Sequence, residues 1–116
     1  MGISYHGNYL SWFEVCRVSM LDAIGQPYVE LEANGYHLPV LEVGVKYASP
    51  SRFDDRLKVS CMIKEPPRAR IRIDYEVELN GKIITTGFTV HAFMDSNGRP
   101  MKPPQSFLDS IEKLMG

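Results

Sequence analysis

Over residues 8–24 the apolar side chains Tyr9, Phe13, Cys16, Met20 and Ile24 recur at intervals of three and four. That spacing places them on one stripe of an α-helix about five turns long. Leu10, Val18 and Leu21 widen the stripe, so the helix is expected to be covered on more than one side. Gly25 can take the left-handed conformation that ends a helix, and Pro27 bars its continuation. A second, short helical turn is expected over residues 28–32, stopping at Asn34 and Gly35.

The period then changes to two. Leu41, Val43, Val45 and Tyr47 alternate with Glu42, Gly44 and Lys46, the pattern of a half-buried strand. Residues 49–55 interrupt it as a loop. Leu57, Val59, Cys61 and Ile63 predict a second strand that ends before Pro66 and Pro67. A third directs Ala69, Ile71, Ile73, Tyr75, Val77 and Leu79 inward, with Arg70, Arg72, Asp74, Glu76 and Glu78 outward. Asn80-Gly81 is a two-residue hairpin signal of the type I′ kind. It leads into a fourth strand with Ile84, Thr86, Phe88, Val90, Ala92 and Met94 expected inward and His91 outward. After the turn at Ser96, Asn97 and Gly98 and a proline-rich stretch, Ser106 is placed to cap a terminal helix carrying Phe107, Leu108, Ile111 and Leu114.

The order is one long helix, four strands in a largely antiparallel meander, and a small helix. The fold class is therefore α+β. Each strand has one apolar face to bury, and the long helix is the one element of matching length, so the sheet is expected to wrap around it. At 116 residues the chain is expected to be a single domain over its whole length, small enough to benefit from self-association. A net charge of −1 gives no general attraction to nucleic acid or anionic membranes. The outward Arg70-Arg72 run continues into Asp74, Glu76 and Glu78, which further disfavours nucleic acid. No apolar run reaches the roughly 20 residues of a membrane span, and no signal-peptide layout is present. The two cysteines, Cys16 and Cys61, fall in a helical and a strand pattern and read as reduced core thiols of a cytoplasmic protein.

Candidate chemistry concentrates at the start of the long helix. His6 lies on a turn flanked by glycine, where unpaired backbone amides and the positive end of the helix dipole attract a negatively charged oxygen. A general base beside such amides is what acyl transfer requires. Gly2, Ser4 and Gly7 are short enough to let a substrate approach the backbone. His6, Gly7 and Tyr5 form the candidate catalytic set. Asn8 can act as an N-cap or a substrate contact, and Tyr9 as core or as the wall of an acyl pocket. Glu14 reads as a solvated residue or a partner for Arg17. His37 and His91 have no partners at metal-ligand spacing, so no metal site is expected. Serine-hydrolase elbows and phosphate-binding P-loops are absent from the sequence.

The segment Gly2-Ile3-Ser4-Tyr5-His6-Gly7-Asn8-Tyr9 resembles the signature of the 4-hydroxybenzoyl-CoA thioesterase family of hotdog-fold enzymes, Asp-x-x-Gly-[Ile/Val]-x-[Tyr/Phe]-His/Tyr-x-Asn-Tyr. Residues 47–55, with Tyr47, Pro50, Ser51, Arg52, Asp54 and Asp55, are similar to the family's loop between its second and third strands. The resemblance implies a hotdog fold, a curved antiparallel sheet around one long central helix. It implies hydrolysis of an acyl-CoA thioester with no metal or added cofactor, coenzyme A being part of the substrate. The implied site uses His6 with an aspartate upstream, and is built where two subunits of a dimer or tetramer meet. Ser49, Arg52 and Lys102 are the preferred additional substrate contacts, the last two for the coenzyme A phosphates. The family's aspartate and first strand would stand before Met1, so Met1 is expected to be an internal methionine taken as the start, or the chain to be shortened. Two other classes fit the same architecture: a non-catalytic acyl-thioester-binding subunit, and a hydratase or dehydratase acting on carrier-protein substrates.

Overall fold

The computed structural model describes residues 6–47 and 57–116, except for the side chains of residues 6–8. Helix α1 spans His6–Ala23, α2 Tyr28–Ala33 and α3 Gln105–Met115; the strands are β1 (Val40–Tyr47), β2 (Leu57–Met62), β3 (Ile71–Leu79) and β4 (Lys82–His91). All strand pairs are antiparallel, in the order β1-β4-β3-β2. Both long elements of the expected architecture are present, and α1 lies across one face of the sheet. Tyr9 meets Tyr47 of β1 with ring centroids 5.3 Å apart, Phe13 stacks on Tyr75 of β3, and Cys16 lies against Val59 of β2.

The helix ends follow from local chemistry. Gly25 is left-handed (φ 78°), and the amides of Gln26 and Gly25 return to the carbonyls of Leu21 and Asp22. This Schellman arrangement satisfies carbonyls the helix leaves unpaired. The same pair of bonds recurs after α2, from Tyr36 and Gly35 to Leu31 and Glu32. Asn80 and Gly81, both at positive φ, form the predicted hairpin turn, with Leu79 opposite Lys82. The predicted cap of α3 is corrected. Pro104 occupies the N-cap position, and Ser106 lies inside the helix, where its carbonyl accepts a hydrogen bond from Ser110.

Two bulges reset the strand alternation. Val77 pairs with Thr85 but Glu78 with Ile83, which leaves Ile84 as an extra residue in β4. An extra residue exchanges the two faces for the remainder of the strand. The expected inward set Thr86, Phe88 and Val90 therefore points away from α1, while Thr85, Thr89 and His91 are buried beneath it. In β1, Val40 pairs with His91 and Glu42 with Val90, so Leu41 is the extra residue. Val43, Val45 and Tyr47 do share the α1 face, opposite Thr89, Gly87 and Thr85. Yet Val43 and Tyr47 remain 46% and 45% exposed, because β1 is an edge strand.

Tyr9, Phe13, Leu21, Ile71, Ile73, Tyr75, Val77 and Ile84 form the core between helix and sheet. It continues past the end of β4, where the Phe93 ring meets Phe107 of α3 edge-on at 5.0 Å. Among the described residues no helix is long and apolar enough to cross a membrane.

Candidate active site

The structure gathers four of the predicted site residues into one helical turn. His6, Gly7 and Asn8 are the first three residues of α1, and Tyr9 follows them. Asn8 thus lies inside the first turn instead of capping it. Tyr9 is buried at 1% exposure, packed edge-on against Trp12 and tilted against Tyr47. Tyr5, Ser49 and Arg52 lie outside the described residues. Lys102 is exposed, next to Met101, whose amide bonds the Phe93 carbonyl. That position belongs to the Val40–His91 end of the β1-β4 pair, whereas Tyr9 sits at the Tyr47 end. Seven residue steps along β1 separate the ends, about 23 Å at strand rise. Lys102 is therefore not brought to the start of α1 within one subunit.

Beneath α1 the sheet carries a polar group that alternation alone hides. His91 is fully buried; its Nδ1 is 3.1 Å from the Pro39 carbonyl and 3.3 Å from that of Leu38. Carbonyls only accept, so Nδ1 carries the hydrogen and Nε2 is the acceptor. Thr89 donates its hydroxyl to that Nε2 across 2.8 Å. Tyr75 in turn donates to Thr89 across 2.7 Å, and Arg17 donates to the Tyr75 oxygen across 3.0 Å. Donor direction is consistent along the whole chain, from a guanidinium on the helix to two backbone carbonyls ahead of β1. Burial, and then the Arg17 charge, lower the His91 pKa to about 4, against smaller opposing effects of the Leu38 and Pro39 carbonyls. Burial likewise raises that of Tyr75. Both groups are neutral at physiological pH.

Arg17 accordingly does not pair with Glu14. Among the described residues the one ion pair is Arg72–Asp74 at 3.2 Å. Arg72 also lies over the Phe88 ring, 4.2 Å from its centroid, on the sheet face opposite α1. There a groove of about 480 Å³ is lined by Gly44, Lys64, Arg72, Asp74 and Phe88 among others. Two basic side chains, Lys64 and Arg72, line that groove, on the sheet face opposite the buried histidine. Cys16 and Cys61 are free thiols in contact across α1 and β2. Burial, reinforced by the neighbouring Cys16 thiol, pushes Cys61 up to about 12, so it is protonated and unreactive near neutral pH.

An α+β fold with one long helix across an antiparallel four-stranded sheet is the architecture of the hotdog thioesterase class. The chain belongs to the thioesterase-like superfamily, whose family model matches residues 1–111. It is similar to a Bacillus subtilis (strain 168) protein provisionally named acyl-CoA thioesterase YneP, with 34% identity over 65 residues, 56% of this chain and 47% of that one. A provisionally named esterase of Synechocystis sp. is 27% identical over 108 residues, 89% of this chain and 65% of its own length. The matched part thus spans about half to two thirds of these curated relatives. Among solved structures, a DHNA-CoA thioesterase from Staphylococcus aureus superposes with a TM-score of 0.87 at 27% identity, over 96% of this chain and 78% of that one. These likenesses establish the class of fold and the thioesterase kinship.

Proposed function

We propose that the chain is an acyl-CoA thioester hydrolase of the 4-hydroxybenzoyl-CoA type, working in the cytoplasm as a homodimer or dimer of dimers. The observation that carries this reading is the thioesterase family match over residues 1–111 together with a helix α1 that begins at His6. In the proposed mechanism the amides at the start of α1, including that of Gly7, polarise the thioester carbonyl. One such oxyanion donor is typically worth about 3 kcal/mol in the transition state. His6 activates or orients the attacking water, in concert with an aspartate contributed from upstream of the signature. The tetrahedral intermediate collapses by expelling the coenzyme A thiolate, which leaves as the free thiol and releases the carboxylic acid.

Self-association is supported by β1. It is an edge strand with Val40, Leu41, Val43 and Tyr47 all 40% exposed or more, an apolar edge that isolated proteins rarely leave uncovered. Antiparallel pairing of two such edges sets the Tyr47 end of one subunit against the Val40 end of the other. The partner's Lys102 then approaches the start of α1, which the same subunit's Lys102 does not reach. A role for Lys102 in holding coenzyme A phosphate follows in the dimer alone.

The test is His6→Ala in the full chain, with thiol release from acyl-CoA as the readout. Loss of a positioned general base should lower kcat by roughly 10²- to 10⁴-fold with the fold intact. Near-parent turnover would refute the role given to His6.

A further inference from the structure

Tyr75 is touched by two successive turns of α1. Phe13 stacks on its ring face at 4.3 Å, and Arg17 donates to its hydroxyl at 3.0 Å. An apolar stack lets a helix slide or roll at small cost, because dispersion contacts are individually weak and have little direction. A hydrogen bond to a fixed oxygen is directional and resists both motions. The Tyr75 oxygen is fixed in turn, since its proton is committed to Thr89, Thr89's to His91, and that of His91 to the Leu38 and Pro39 carbonyls. We infer that the chain Arg17–Tyr75–Thr89–His91 sets the axial position and roll of α1 on the sheet, and thereby places the helix start that carries His6 and Gly7.

This inference rests on the hydrolase reading for its catalytic consequence, though not for its geometry. Arg17, Tyr75, Thr89 and His91 are then positioning residues, about two turns and more from the helix start. The titratable groups around the relay are Arg17 from α1, Tyr28 from α2, Cys61 from β2 and Tyr75 from β3. Among the described residues no carboxylate forms an ion pair with Arg17. A directional donor on a helix, without a counter-charge to pull it elsewhere, is suited to reading one oxygen.

The experiment uses three variants of the full chain and two readouts. Thr89→Val removes the central hydroxyl at nearly constant volume, Tyr75→Phe keeps the ring stack but removes the acceptor, and Thr89→Ser restores the hydroxyl. The first readout is the ¹⁵N spectrum of the His91 imidazole, which distinguishes its two neutral tautomers. The parent should show the Nδ1–H form near neutral pH, held by the Leu38 and Pro39 carbonyls, with the Nε2 resonance moved by the hydrogen bond from Thr89. Thr89→Val should keep that tautomer but shift the Nε2 resonance to that of an unbonded nitrogen, and Thr89→Ser should restore it. The second is acyl-CoA hydrolysis. Displacement of the helix start should lower kcat about 10- to 100-fold in Thr89→Val and Tyr75→Phe, with KM changed less than about twofold. Thr89→Ser should recover most of the loss.

An unchanged imidazole spectrum in Thr89→Val would overturn the relay itself. A changed spectrum with undiminished kcat would overturn its positioning role, as would a Thr89→Ser variant that regains the spectrum but not the rate. Absence of hydrolysis by the parent would instead contradict the hydrolase reading and remove the catalytic consequence. The imidazole spectrum would still decide the geometry.

Discussion

Phe13 lies nearly flat on Tyr75, with ring centroids 4.3 Å apart and planes 13° from parallel, over a sheet position that has no side chain. That position is Gly87. A Cβ there would stand 2.5 Å from the Phe13 ring and 2.9 Å from the Gly44 carbonyl oxygen. Close approach of α1 to the sheet is therefore a property of this one residue as much as of the aromatic pair.

Gly87→Ala should destabilise the protein by about 1–3 kcal/mol, the range for overpacking a closed core. Gly44→Ala is the control. Its Cβ would meet the Phe88 ring on the opposite face, along the groove and outside the closed core, so the loss should be the smaller of the two. Denaturant unfolding of the two variants checks the difference; equal losses would mean that α1 is not held as closely as the geometry indicates.

His91 makes stability depend on pH in a defined direction. Its folded-state pKa of about 4 lies below the 6.5 of a free imidazole. Between those values the unfolded chain binds a proton that the folded chain does not, so stability rises with pH. The contribution is complete above about 6.5 and is lost as pH falls toward 4, and the gap corresponds to roughly 3 kcal/mol. Unfolding free energies of the parent should climb through that window, while those of His91→Gln should climb less steeply. Parallel profiles would show that the imidazole does not titrate as its burial requires.

Val43→Glu tests the β1 edge. If β1 pairs between subunits as proposed, a charge on it should weaken self-association about tenfold or more, the equivalent of 1.4 kcal/mol, and sedimentation velocity should record a shift toward monomer. Unaltered assembly would place the subunit contact elsewhere. Lys102→Ala should then raise KM for acyl-CoA in the assembled protein and leave kcat nearly unchanged, because a phosphate contact is made equally in ground and transition states.

The elements themselves were legible in the pattern of apolar positions, because helix and strand periods differ and each strand buries one face. Gly25 and Asn80-Gly81 were legible for a sharper reason: their backbone conformations suit few other residues. What alternation misses is an inserted residue. Ile84 is as apolar as its neighbours, and nothing in its side chain announces a bulge, yet it turned His91 from the solvent side to the centre of the molecule. The burial of Thr85, Thr89 and His91 follows from that one displacement. The partner of Arg17 was hidden for a related reason. Helical spacing offers it Glu14 one turn away, whereas the sheet offers a fixed hydroxyl that only tertiary structure brings near. At the start of α1 the sequence reading put Asn8 at the cap, whereas the helix already begins at His6, since helix boundaries are set by where packing begins as well as by capping chemistry.

The proposed activity is hydrolysis of an acyl-CoA thioester. It is tested most directly by following free thiol from short-chain, long-chain and aromatic acyl-CoA panels with the full chain, alongside equilibrium binding of the same compounds. Saturable release of coenzyme A thiol from at least one class is expected, abolished or strongly reduced in His6→Ala. Binding across the panel with no thiol released from any member would contradict it.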